Sequence, residues 1–468
     1  MAIIFTVLAY FAVLFGISRL TSRRANNDTF YRANRRAPWY MVAFGMVGAS
    51  ISGVTFVSVP GMVLTSQMTY LQMCLGFIVG YFVIAFVLLP LYYRFQMTTI
   101  YTYLGQRLGN RSYLTGAWFF LLSKMVGASV RFYVVCIILQ QFVFESAGIP
   151  FIINVVGMVL LIWLYTRRGG IGTLVFTDTF QTLCLFMALV LIILEAVGQL
   201  HLSFGEAVNT IANSEMGRIF VFDDWVSPHN FWKQFLSGAF IAIVMTGLDQ
   251  DMMQKNLTCK TLKDAQKDMC TYGIAFVPAN LLFLSLGVLL AILSGNGMPV
   301  KSDTLLPTFV SQSGMTVMVF FTIGIVAASF SSADSALTSL TTSFCVDIRR
   351  QPDNETLRKK THIAMCFIFM LFIILFREIN STSLIDAIYV LASYTYGPLL
   401  GLFVFGLFTK RQTKDRLVPY ICVVSPLLCY ALDVFTQHMW NYHFGYELLM
   451  LNGLLTFLGL YSVSEKSK

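Results

Sequence analysis

Thirteen apolar runs divide this chain, at roughly 2–19, 39–64, 70–93, 114–142, 150–166, 173–197, 232–254, 271–294, 314–345, 361–377, 382–408, 417–436 and 445–463. Each is near the ~20 residues that cross a bilayer as a helix. A backbone in hydrocarbon must satisfy its own N–H and C=O groups, and a single segment does so only as an α-helix. The pattern therefore predicts an all-α polytopic membrane protein. Composition agrees, with 57% hydrophobic and 12% charged residues against about 25% charged in soluble domains.

The net charge of +9 does not point to nucleic acid, because the basic residues recur in short clusters between the apolar runs. Such clusters mark cytoplasmic loops. With the N-terminus outside, the clusters at Arg23 to Arg36, Arg94 to Arg111, Arg167 and Arg168, Lys255 to Lys267, Arg349 to Lys360 and Lys410 to Arg416 all fall in the cytoplasm. Arg218, Lys233, Lys301 and Arg377 remain outside, and the C-terminus is inside. The first run is followed, not preceded, by arginines, so it reads as a span and not a signal peptide. The nine cysteines sit in apolar runs or cytoplasmic loops, which offers no external disulfide.

Two spans contain breaks. The second carries Gly45, Gly48, Gly53, Pro60 and Gly61, and the seventh carries Gly238 and Gly247. They open two successive groups of five spans, and interrupted helices at matching positions of two repeats point to a transporter's binding site. Few ionisable groups sit well inside spans: Lys124, Arg131, Asp178, Asp334, Asp386 and Asp433. Snorkelling or interfacial placement accounts for Lys124, Asp386 and Asp433. Asp178 and Asp334 fall in the same half of the membrane, and two carboxylates buried near one another need a cation. Around Asp334 the stretch FSSADSALTSL places Ser331, Asp334, Ser335, Thr338 and Ser339 on one helical face, with Ser332 about 100° round. Oxygen ligands with little formal charge suit a monovalent hard cation such as Na⁺.

The motifs GASISGVTF, GGIGTLVFTDTFQT, GLDQDMMQK, AASFSSADSALTSLTTSFCVDI and GPLLGLFVFGLFTKR, in this order over nearly the whole chain, resemble the sodium:solute symporter family. The resemblance implies a leucine-transporter-like fold. On that plan 2–19 is an extra N-terminal helix, 39–197 and 232–408 are two inverted five-helix repeats, and 417–463 holds two extra helices. It also implies a principal sodium site made of the carbonyls of Gly48, Ile51 and Ala328 with the hydroxyls of Ser331 and Ser332. A second sodium, held in some members, would use Asp178, Ser331, Asp334 and Ser335, Asp334 standing where those members carry serine or threonine.

For the substrate, the family's sialic acid symporters imply Ser50, Ser52 and Thr55 in the broken helix, Tyr70 and Cys74 in the next, and Arg131 for a carboxylate. A galactose-type site is not matched, since IAIVMT is apolar where those members carry an asparagine and aromatics. The expectation is a sodium-coupled symporter of the cell membrane importing a small organic solute that bears a carboxylate, such as sialic acid. A monocarboxylate, amino acid or sugar is the alternative. A membrane enzyme is disfavoured because His201, His229, His362, His438 and His443 fall in loops or near span ends, and a solute sensor because no output domain follows the last span.

Overall fold

Each apolar run folds as helix, because in hydrocarbon its backbone groups have no other partners. The computed structural model describes residues 2–23, 25–145, 148–225, 227–295, 302–379, 384–440, 442 and 444–465. Arg24, Lys301, His443 and the side chain of Asp386 lie outside the described residues. The principal helices are α1 (Ala2–Thr21), α2 (Asn27–Arg32), α3 (Trp39–Ser50), α4 (Gly53–Gly61), α5 (Tyr70–Val83), α6 (Asn110–Leu139), α7 (Phe151–Thr166), α8 (Ile171–Gln199) and α9 (Phe204–Asn213). There follow α10 (Phe231–Ala242), α11 (Gln250–Asn256), α12 (Leu262–Ser294), α13 (Leu305–Gln312), α14 (Met315–Ser343), α15 (Glu355–Ile379), α16 (Leu384–Phe408), α17 (Val418–Trp440) and α18 (Leu448–Ser462). Two-residue strands at Gln412–Thr413 and Ser464–Glu465 pair antiparallel.

Among the described residues, eight helices are long and apolar enough to span a membrane, or ten with two bent pairs each taken as one span. The sequence predicted thirteen; the other three positions hold shorter apolar helices at Phe5–Thr21, Phe151–Thr166 and Leu448–Ser462. The bent pairs are the two breaks expected from glycine. The second span bends by 60° between α3 and the segment from Gly53 to Ser66, and the seventh by 71° between Phe231–Gly247 and α11. At the first break Ile51 (φ −82°, ψ 85°) and Ser52 (φ −75°, ψ 172°) leave the helical region. The last carbonyls of α3 thereby lose their intrahelical partners.

α14 lies at the centre, packed on α8 and α6, and every residue from Gly324 to Ser343 is buried. Its polar residues must therefore find partners in neighbouring helices. α5 packs along α10 through small residues. A Cβ at Gly76 would meet the Phe235 carbonyl, and one at Gly238 the Met73 carbonyl. Close backbone approach through small residues is how membrane helices gain van der Waals contact. Gly76→Ala should therefore lower stability by about 1–3 kcal/mol through overpacking. Gly157→Ala, where a Cβ meets nothing within 4 Å, should be neutral or stabilising; thermal unfolding of the two variants side by side checks this. All nine cysteines are free, and only Cys270 is not fully buried.

Candidate functional site

The break between α3 and α4 faces α14. Ser332 Oγ donates to the Ala49 carbonyl at 2.8 Å and approaches the Ala328 carbonyl at 3.2 Å. Three oxygens from two helices thus meet where the backbone of α3 has come out of its ladder. Gly48 lies against Thr182 of α8, where a Cβ would strike the threonine hydroxyl. Ile51 is fully buried. Of the residues assigned to the principal ion site, the structure brings Ala328 and Ser332 together at the break, through Ala49, while Ser331 turns to α8. Among the described residues no group of three or more His, Cys, Asp or Glu is arranged to hold a metal.

Ser331 Oγ donates to Asp178 Oδ1 at 2.7 Å, and Lys255 Nζ lies 2.8 Å from Asp178 Oδ2. With its amide oriented to satisfy its neighbours, Gln181 also donates to Asp178 Oδ1 at 3.3 Å and accepts from Tyr10. Asp334 accepts from the Tyr165 hydroxyl at 2.6 Å and from Ser335 Oγ at 3.3 Å. The cation demanded by two buried carboxylates is therefore present as a side chain. Lys255 corrects the sequence reading that grouped it with loop charges: it is 2% exposed, on α11. Lys124 likewise does not snorkel. It is buried, 2.6 Å from Asp251 Oδ2 and 3.2 Å from Asp249 Oδ2. Asp433 is buried and accepts from the Phe444 amide at 2.9 Å, and His362 is buried between Thr166 and Thr341 at 3.0 Å from each.

A cavity of about 1090 Å³, its open mouth included, lies beside the break and is lined from α3, α4, α5, α6, α10, α11, α12, α14 and α16. It receives Ser50, Ser52, Thr55, Tyr70 and Arg131, together with Ser332. Cys74 does not join them; it is buried one turn beyond Tyr70 in the hydrophobic core. Ser50 shares a hydrogen bond of 2.6 Å with Tyr272, which bonds Tyr81 at 2.9 Å. Arg131 sits two turns along α6 from Lys124 and makes no hydrogen bond or ion pair among the described residues.

The model of the sodium:solute symporter family matches residues 30–415. The chain belongs to the sodium:solute symporter family. It is 26% identical over 452 residues to the sodium/sialic acid symporter SiaT of Proteus mirabilis, covering 88% of this chain and 87% of that protein. Similarity to the sodium/sialic acid symporter NanT of Aliivibrio fischeri is 25% over 440 residues, covering 87% and 83%. In structure it superposes on a substrate-bound, outward-open Na⁺-coupled sialic acid symporter with a TM-score of 0.84 at 19% identity, over 100% and 99% of the chains. On Mhp1, a nucleobase-cation-symport-1 transporter in a closed conformation, the TM-score is 0.60 at 16% identity, over 94% of each chain. This sodium:solute symporter thus has the leucine-transporter-like fold, and it is a transporter and not an enzyme.

Residues of this symporter's polar interior that sequence reasoning missed include Lys255, Asp249, Asp251, Tyr272 and Tyr396. A signal for the first was available. The run GLDQDMMQK ends the seventh apolar span without a glycine or proline after its break, so it continues as a short helix packed inside the protein. α11 then runs away from the cavity to α2, where Gln254 Nε2 donates to the Tyr31 carbonyl at 2.8 Å.

Proposed function

We propose that this symporter imports a small solute bearing a carboxylate, of the sialic acid kind, with Na⁺ bound at the break between α3 and α4. Ser332 and the carbonyls of Gly48, Ile51 and Ala328 surround the ion, with Ser331 beside them. The N-terminus is outside and the C-terminus in the cytoplasm, on the Lys/Arg asymmetry of the loops. Residues 39–197 and 232–408 form the two inverted repeats, each opened by one of the bent spans.

The observation that carries the substrate reading is Arg131. Lys124 and Lys255 are paired with carboxylates, whereas Arg131 faces the cavity with none among the described residues. A guanidinium holds a carboxylate by two parallel hydrogen bonds, and Ser50, Ser52, Thr55 and Tyr70 give hydroxyls nearby. The names of the sialic acid relatives support the same reading. Asp178 is met by Lys255, so one coupled Na⁺ is the stoichiometry this chain favours. One Na⁺ moved together with one carboxylate carries no net charge, so accumulation then follows the sodium concentration gradient and not the membrane potential.

The test is uptake of labelled sialic acid into proteoliposomes under an inward Na⁺ gradient. Arg131→Lys should cut apparent affinity by about tenfold or more although the charge is kept, because one ammonium cannot reproduce the fork. Wild-type affinity in that variant defeats the carboxylate assignment.

A further inference from the structure

Two carboxylates share Lys124, and they are not used alike. Asp249, capping α11, has both oxygens committed: Oδ1 accepts from the Asp251 amide at 2.8 Å and from Lys124 at 3.3 Å, and Oδ2 from Lys124 at 3.2 Å and from the Tyr396 hydroxyl at 2.5 Å. Asp251 gives Oδ2 to Lys124 at 2.6 Å, but its Oδ1 is buried with no hydrogen-bond partner among the described residues. The side chain is 6% exposed and lines the cavity; Lys255, further along α11, is within electrostatic range of it. A buried acceptor without a donor forfeits its hydration with nothing in return, most of all when it is charged. Of the two ammonium groups nearby, Lys124 serves both aspartates and Lys255 Nζ is paired with Asp178 at 2.8 Å.

We propose that Asp251 determines specificity, its spare carboxylate oxygen accepting a hydrogen bond from a hydroxyl or N–H group of the transported acid. The inference rests on the carboxylate reading of Arg131. The two ends of the site are apart: Lys124, which fixes Asp251, and Arg131 are seven residues distant on α6, about 10 Å along its axis. The solute is therefore an acid whose donor lies several bonds from its carboxylate, as in a sugar acid. A short aliphatic monocarboxylate leaves Asp251 unpaired. A site built to bond a polar group rejects the analogue that lacks it far more strongly than an apolar pocket rejects a missing methylene.

The test uses the full-length protein in detergent with Na⁺ and follows ligand-induced thermal stabilisation by N-acetylneuraminate and by hexanoate. Wild type should bind N-acetylneuraminate at least about tenfold more tightly. In Asp251→Asn the amide oxygen stays with Lys124, so the amino group turns to the cavity and a donor replaces the acceptor. That variant should lose about tenfold or more for N-acetylneuraminate and nothing for hexanoate, and its hexanoate response certifies its fold. Equal affinity of wild type for the two acids, an unchanged N-acetylneuraminate response in the variant, or an equal loss for both acids overturns the proposal. If the variant does not fold, the wild-type comparison decides alone. Absence of any response of wild type to either acid instead removes the Arg131 reading beneath it.

Discussion

Lys255→Met should leave a protein that needs sodium to stay folded. The ammonium is 2.8 Å from Asp178 Oδ2 and 3% exposed on its side chain, and Asp334 lies on the neighbouring α14 with Tyr165 and Ser335 as its donors. Removing one partner of a buried ion pair costs about 3–5 kcal/mol, because the other charge stays behind without compensation. Methionine has similar length and no charge, so packing is kept and the loss is electrostatic. In choline chloride the variant should melt well below wild type. In sodium chloride of equal ionic strength most of the loss should return, since an entering Na⁺ finds Asp178 and Ser331 already disposed around it. Asp178→Asn combined with Lys255→Met should be more stable than Lys255→Met alone, with a difference between sodium and choline no larger than that of wild type. A single variant as stable as wild type in choline would show that the pair contributes nothing.

Ser331→Ala with Ser332→Ala should abolish sodium-driven uptake while leaving the protein inserted. Ser332 holds the α14 side of the break against Ala49, and Ser331 holds Asp178. Contacts of a hydroxyl with a charge are worth about 1.5–3 kcal/mol each, so removing two lowers apparent sodium affinity by about 100-fold or more. Ser332→Ala alone should raise the sodium concentration for half-maximal uptake and keep the maximum rate at saturating sodium. The double variant is scored by sodium titration of uptake at constant membrane potential. Wild-type sodium dependence in it would remove the principal site from α14.

The helical fold, the two broken spans and the polar density of α14 were legible in the sequence because each is a local property. Apolar length identifies a span, glycine and proline identify a break, and serines beside an aspartate in a buried run stand out. The residues that balance the charges were not legible, for a physical reason. Asp251 and Lys255 are four apart on α11, the spacing of an intrahelical pair on an exposed face. Each instead pairs with another helix, Lys124 of α6 and Asp178 of α8. Partners chosen across helices are set by the packing, which only the fold supplies. Length alone decides less at the apolar helices Phe5–Thr21, Phe151–Thr166 and Leu448–Ser462, which are shorter than the ten spans identified among the described residues.

The thiols have a practical meaning for following this transporter at work. Buried cysteines are poor nucleophiles towards aqueous reagents, and here that leaves Cys270 as the one native position for a maleimide to attack. A Cys270→Ser chain is then a nearly silent background without rebuilding the other eight positions. A cysteine introduced at Thr395, on the cavity lining, would report closure of the mouth over solute as a change in labelling rate. The same background suits paired spin labels, so the distance across the cavity becomes measurable in a chain whose interior is otherwise untouched.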